Sequence, residues 1–270
     1  MLDLPRSVRL AAWGTALLGG RCDVVSVGRA VVRDDEPHDV LVDDAVAAEF
    51  GLPAGGVPAR LVDVLPMLPP GTEFRVVLPA PGDLLGLPGP AAFNEAALAA
   101  GESVLVGVGD GARFGLVPDV TEFGSVYEPG AMVTWHAVAV DNRPGGVAAL
   151  LAMSVADADR ELRSALNTAI AELARLDIAR WREDAADRVA AIRDGGLEPG
   201  SLPDGTPGRC LRVLATAARV RAIVQLASED DGAAVTGHEA VSRARTLREL
   251  DSVSRRAMVA AVNGILEPAD

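Results

Sequence analysis

With 270 residues, 38 acidic side chains against 25 basic ones and a formal net charge of −13, the chain lacks the basic face a general nucleic-acid binder needs. Every basic residue is an arginine, and the absence of lysine excludes Schiff-base, phosphate-loop and kinase-type lysine chemistry. A hydrophobic content of 49% and a mean hydropathy of +0.24 exclude a disordered chain, and the length suits one large domain or two ordinary ones.

In chain order, Pro5 to Leu18 reads as an opening helix, with Val8, Ala11 or Ala12, and Leu18 along one side. The basic start before this apolar stretch imitates a signal peptide, but Asp3 spoils it and Gly19-Gly20-Arg21-Cys22 is no cleavage site. Asp39 to Phe50 is expected to be a second helix, stopped by Gly51. Phe74 to Leu78 is a short β-rich run that ends at Pro79. A loop with four prolines and three glycines leads to a helix from Pro90 to Ala100, followed by Gly101. Ser103 to Val108 and Arg113 to Val117 then flank Gly109-Asp110-Gly111 as a hairpin. Ala131 to Val140 is the longest strand expected, with Val133, Trp135, Ala137 and Ala139 on one side. Phe74 to Val108 therefore forms a strand–helix–strand unit in a small mixed sheet.

Character changes at Asn142-Arg143-Pro144-Gly145-Gly146, a run of helix and strand breakers. Residues 1–150 carry 19 acids and 9 arginines, whereas residues 151–270 carry 19 acids and 16 arginines. Ser154 is placed to cap a helix, with Val155, Leu162, Leu166, Ala169, Leu173 and Leu176 as its apolar seam. A second helix runs from Trp181 to Arg193, with Trp181, Ala185, Val189 and Ile192 inward. A third runs from Arg209 to Ala227, burying Val213, Ala217, Val220 and Val224. The last opens at Thr236 or Gly237 and runs through Val262, with Ala240, Ala244, Leu247, Leu250 and Met258 inward. Four such helices make a bundle. The expected fold class is α+β: an acidic α/β domain at 1–146, then a helical bundle domain at 147–270, of which residues 151–270 are expected to fold alone.

Motifs that carry chemistry are missing. His38, His136 and His238 stand far apart without metal-ligand spacing, and His38 and His238 sit at expected helix starts. Gly124-Ser125-Val126 lacks the closing glycine of a nucleophile elbow, and Gly107-x-Gly109-x-Gly111 lacks the helix a dinucleotide site requires. Cys22 and Cys210 have no pairing or metal pattern. Asp34-Asp35-Glu36 and Glu229-Asp230-Asp231 lack calcium-loop spacing and read as solvated turns. Arginines crowd the last two helices, where they can pair with Asp157, Glu161, Glu172 and Asp187, or face an acidic partner or the chain's own acidic first half. The loop before Pro90 is the candidate ligand site, through Asp83, Gly86, Gly89 and Asn94.

The run LPAPGDLLGLPGPAAFNEAALAAGE, with LARLDIARW and ASEDDGAAVT, resembles a family of uncharacterised proteins from high-GC actinobacteria over most of the chain. That resemblance implies no activity and transfers no catalytic residue. The residues point to a non-enzymatic cytoplasmic binding or scaffold protein that acts through a protein partner or self-association. Neither a cofactor, a metal, a nucleic acid nor a membrane is expected to take part, since no apolar run approaches the ~20 residues of a spanning helix. The alternative is a small-molecule binder or enzyme using the loop at 79–94.

Overall fold

The computed structural model of the chain describes residues 1–84, 86–107, 113–125, 128–141, 153–175, 183–229 and 237–266. The breaker run 142–146 and the turn at 109–111 lie outside the described residues, as do Leu176 and Trp181.

Helix α1 (Arg6–Leu18) is buried almost all round, from Ser7 to Gly14 and at Ala16. Helix α2 (Val24–Val32) follows; the carboxylate of Asp23 accepts a 2.7 Å bond from the Ser26 N–H. This helix has no counterpart in the sequence expectation, although Asp23 is an ordinary capping residue.

The expected helix from Asp39 to Phe50 is two elements: strand β1 (Asp39–Val42) and helix α3 (Asp44–Phe50), which ends at Gly51 with φ +67°. Asp-Val-Leu-Val is short and β-branched, and its burial alternates, with Val40 and Val42 inward. Strand β2 (Ala59–Arg60) and helix α4 (Leu61–Val64) lead to β3 (Glu73–Val77). Helix α5 (Ala91–Ala100) is separated from β4 (Ser103–Gly107) by only Gly101 and Glu102. Strands β5 (Arg113–Gly124) and β6 (Pro129–Ala139) form a long hairpin, and β5 runs seven residues past the expected end.

All six strands share one mixed sheet in the order β2-β1-β6-β5-β4-β3. Among the described strands only β1 and β6 pair in parallel. The strand–helix–strand unit thus closes antiparallel, β3 against β4, rather than as a parallel crossover. Helix α5 covers β5 through Phe93, whose ring lies where a side chain at Gly115 would stand.

The helical half comprises α6 (Val155–Arg175), α7 (Glu183–Asp194), α8 (Gly208–Ser228) and α9 (Gly237–Asn263). Ser154 caps α6 as expected: its hydroxyl accepts from the Asp157 N–H and donates to the Asp157 carboxylate. Helix α9 is central, flanked by α6 and α8, while α7 rests on α8. Val213, Ala217, Val220 and Val224 of α8 are all buried. On α6 the inward residues are Ala158, Leu162 and Ala169, and Leu166 is only half-buried. Ala244 of α9 is exposed rather than inward.

One apolar core runs through both halves. Leu10, Phe74, Val76 and Trp135 belong to the same cluster as Leu162, Val213, Leu214 and Ala257 to Val262. A second, smaller cluster of Ala169, Val220, Val224, Ala227, Leu247 and Leu250 fills the far end of the helices. Polar bonds cross as well: Leu2 N–H donates to the Gly196 carbonyl, and Trp13 Nε1 to the Ser201 carbonyl at 3.1 Å.

Candidate binding surfaces around the Asp83 loop and the last helix

Between β3 and α5 the chain makes a tight turn, Ala80-Pro81-Gly82-Asp83, with reciprocal backbone bonds of 3.0 and 2.8 Å and Gly82 at φ +85°. The turn aims the Asp83 carboxylate away from its own loop and onto α9. Ser252 Oγ donates to it at 2.5 Å, and the Arg255 and Arg256 guanidiniums lie 3.5 and 3.9 Å away. Asp83 retains only 17% of its side-chain exposure. Arg255, buried to 5% exposure, also donates to the Leu78 carbonyl at 2.7 Å and to Asp251 at 2.8 Å. Asp83 is therefore a charged clasp between the loop and the last helix.

The other expected site residues lie apart from that clasp. Gly86 and Gly89 are buried at positive φ, and a side chain at Gly89 would collide with the Asp141 carboxylate. Asn94 Oδ1 accepts the Gly89 N–H at 2.9 Å, so its acceptor serves the loop itself. The antiparallel closure of β3 on β4 also removes the parallel-strand crevice that motivated the loop as a ligand site.

Two grooves flank the distal half of α9. One, of about 650 Å³, lies between α6 and α9 and is lined by Ala165, Thr168, Thr246, Leu250, Ser252 and Arg256, among others. Its inner end meets the clasp, because Ser252 and Arg256 belong to both. Glu161 accepts from Arg256 Nη2 at 3.1 Å across the groove. The other groove, of about 610 Å³, lies between α8 and α9 over Val224 and Leu247, with Arg221 and Arg248 on its walls. Its carboxylates are engaged: Glu229 takes a two-pronged bond from Arg188, and Asp251 takes Arg255. Of the arginines on α8 and α9, Arg256 meets Glu161 as expected, whereas Arg221 and Arg255 turn to Asp251 of α9 and Arg255 also to Asp83 of the first half, acids outside the expected set; Asp157 pairs with Arg160 of its own helix.

His38 departs from the sequence expectation most. It precedes a strand, not a helix, and its side chain is fully buried. Trp135 Nε1, a donor only, points at His38 Nδ1 at 3.2 Å, so the imidazole proton sits on Nε2 and donates to Asp35 at 3.1 Å. Arg6 grips the same carboxylate with two 2.7 Å bonds. Burial pushes the His38 pKa below its ordinary value, against the bond and charge of Asp35, while the Arg6 and Arg9 charges lower it further. Burial alone would raise the Asp35 pKa; the bonds from Arg6 and His38 outweigh it and hold the carboxyl below its usual range. The run Asp34-Asp35-Glu36 is hence no solvated turn at its centre. The chain Arg6–Asp35–His38–Trp135 ties α1 to β1 and β6 and offers no acceptor to a substrate. His136, half-exposed on the opposite face of β6 from Trp135, sits 3.9 Å from Asp119.

Among the described residues no cluster of three or more His, Cys, Asp or Glu side chains could hold a metal ion. Nor is any described helix long and apolar enough to cross a membrane. Cys22 and Cys210 are not joined in a disulfide.

Comparison with known proteins places the whole arrangement in a wider group. Residues 7–149 match the family model described as Rv1486c-like protein, N-terminal domain, and residues 156–259 match Rv1486c-like protein, C-terminal domain. An uncharacterized protein, Rv1486c, of Mycobacterium tuberculosis is 32% identical, over 97% of this chain and 98% of its own. Uncharacterized proteins of Mycobacterium leprae and Mycobacterium avium are 29% and 30% identical over the same shares. No solved structure matches.

Proposed function

This chain belongs to the Rv1486c-like family, and we propose that it is a non-enzymatic cytoplasmic binding protein whose working surface is the distal half of α9. The observation that carries the reading is the pair of grooves on either side of that helix. Each is open to solvent and lined in part by core residues, Leu250 in one and Val224 with Leu247 in the other. A helix flanked by two partly apolar clefts is suited to receive an amphipathic helix from a protein partner. The groups that could do chemistry support the same conclusion. His38 is locked between Trp135 and Asp35, and Asp83 is held by Ser252, Arg255 and Arg256. His38 borders a cavity of about 30 Å³, and Asp83 reaches the inner end of the groove with its carboxylate already engaged, so neither is free to act as a base or nucleophile.

A photo-crosslinking amino acid at Thr168, inside the α6/α9 groove, is the direct test. In cells it should give a discrete protein adduct that the same group at exposed Asp204 does not. Adducts at neither position would overturn the proposal. One observation favours a second reading, the meeting of Asp83, Arg256 and Ser252 at the inner end of this groove. If native mass spectrometry finds a small molecule that leaves when Arg256 is replaced by Met, the groove is a ligand site and not a docking surface.

A further inference from the structure

The sheet protects its edges unequally. An antiparallel edge strand turns the N–H and C=O of every second residue outward, and such groups invite another strand unless covered. On β3 they are covered. Phe74 N–H donates to Thr15 Oγ1, Val76 N–H to Asn263 Oδ1 at 3.0 Å, and the Leu78 carbonyl accepts from Arg255. Strand β2, at the other edge, is two residues long. Strand β5 differs. Its first residues, Arg113 to Leu116, pair with β4, but from Val117 to Gly124 it has β6 on one side and, among the described residues, no strand on the other. The outer side of β6 is itself occupied, by β1 at Thr134 to Ala137 and by the Glu36 N–H at the Ala131 carbonyl.

We infer that this open stretch of β5 is a docking edge for an extended, basic segment of another protein, which adds there as a seventh strand. The surface is separate from the α9 grooves and does not depend on them. Its side chains select the occupant. Phe123 and Met132 are exposed, 45% and 52%, on one face of the ribbon, where Thr121 lies opposite Met132 and the Phe123 ring covers Gly130. Asp119 and Glu122 are three residues apart and so face opposite sides of the ribbon, both within the open strand. A second copy of this edge would bring four carboxylates together on chains of net charge −13. A strand with arginine or lysine three residues apart, and an apolar residue one place further on beside Phe123, meets both carboxylates and extends the apolar strip. Pro118, with no N–H to donate, marks the inner limit of the edge.

The probe is an acetylated and amidated Val-Arg-Thr-Val-Arg peptide, which in antiparallel register sets its arginines beside Glu122 and Asp119. Added at millimolar concentration to the full chain, it should slow hydrogen exchange of backbone amides between 119 and 124 and leave those of β3 unchanged. The double variant Asp119→Asn, Glu122→Gln, at unchanged melting temperature, should weaken the peptide roughly threefold to tenfold. No slowing would overturn the inference, as would equal slowing by the peptide with glutamate in place of arginine. Concentration-dependent protection of the same amides without any peptide would assign the edge to a second copy and overturn it too.

Discussion

The sheet end of the helical half and its far end share helices α6, α8 and α9 but are held very differently. Near the sheet, α8 and α9 lie in a core that includes Trp135, Phe74, Phe114 and Leu10, all but closed to solvent. There Asn263, Arg255 and Ser252 of α9 also satisfy polar groups of β3 and its following loop. At the far end, among the described residues, a cluster of six buried side chains, two of them alanines, holds α6, α8 and α9 together. The grooves open at that end. The contrast teaches that the two segments matched by separate family models share one core, and that the helices have a core of their own only away from it.

Severing the halves should have the largest effect. Residues 147–270 alone would lose the part of the shared core that the first half supplies, leaving Val213, Leu214 and Ala257 to Val262 without those neighbours. We expect that fragment to keep helical far-UV dichroism but to lose a sharp calorimetric transition. A cooperative melt would instead show a domain that folds unaided, as its sequence suggests. Next in size is the contrast between single cores. Phe74→Ala, beneath α1 and α9, should destabilise by about 3–5 kcal/mol, and Leu247→Ala at the far end by about 2 kcal/mol, since its surroundings can relax. Equal losses in urea titrations would mean that the two ends are equally well packed.

The smallest expected effect is a pH dependence confined to the sheet side. His38 is held neutral in the fold, whereas the unfolded chain takes up a proton near the ordinary value of 6.5. Below that pH the unfolded state binds more protons, so stability should fall with falling pH, by at most about 1.4 kcal/mol per unit, until folded His38 itself protonates. Asp35 adds a further loss only below its ordinary value of 3.8. His38→Gln, which keeps an acceptor for Trp135, should flatten the slope between pH 6.5 and 5. An unchanged slope would place the pH sensitivity elsewhere.

Much of the secondary structure was legible because local signals coincided: Pro90 and Gly101 bracket α5, Ser154 caps α6, and the α8 seam follows its apolar spacing. Where a segment was short, the signal failed. Asp39 to Phe50 reads as one helix only if Val40 and Val42 are not seen to alternate, and four residues are too few to separate the two periods. The length of β5 was hidden because Asp119, Thr121 and Glu122 lie on an exposed ribbon and need no apolar pattern. Of the candidate site, the sequence marked Asp83 and its stiff loop as unusual but could not say what the carboxylate meets, since Ser252 and Arg255 lie far along the chain.

Composition and local pattern by themselves determined the acidic character, the absence of lysine chemistry, the α+β class and most helix limits, because those depend on residue type and near neighbours. Only the tertiary structure decided the strand order, the antiparallel closure of β3 on β4, the burial of His38 against Trp135, the Asp83 clasp and the pairing of β5 with β6. Each of these joins residues distant in sequence, and which distant partners meet is set by how the whole core packs, not by any segment's own preference.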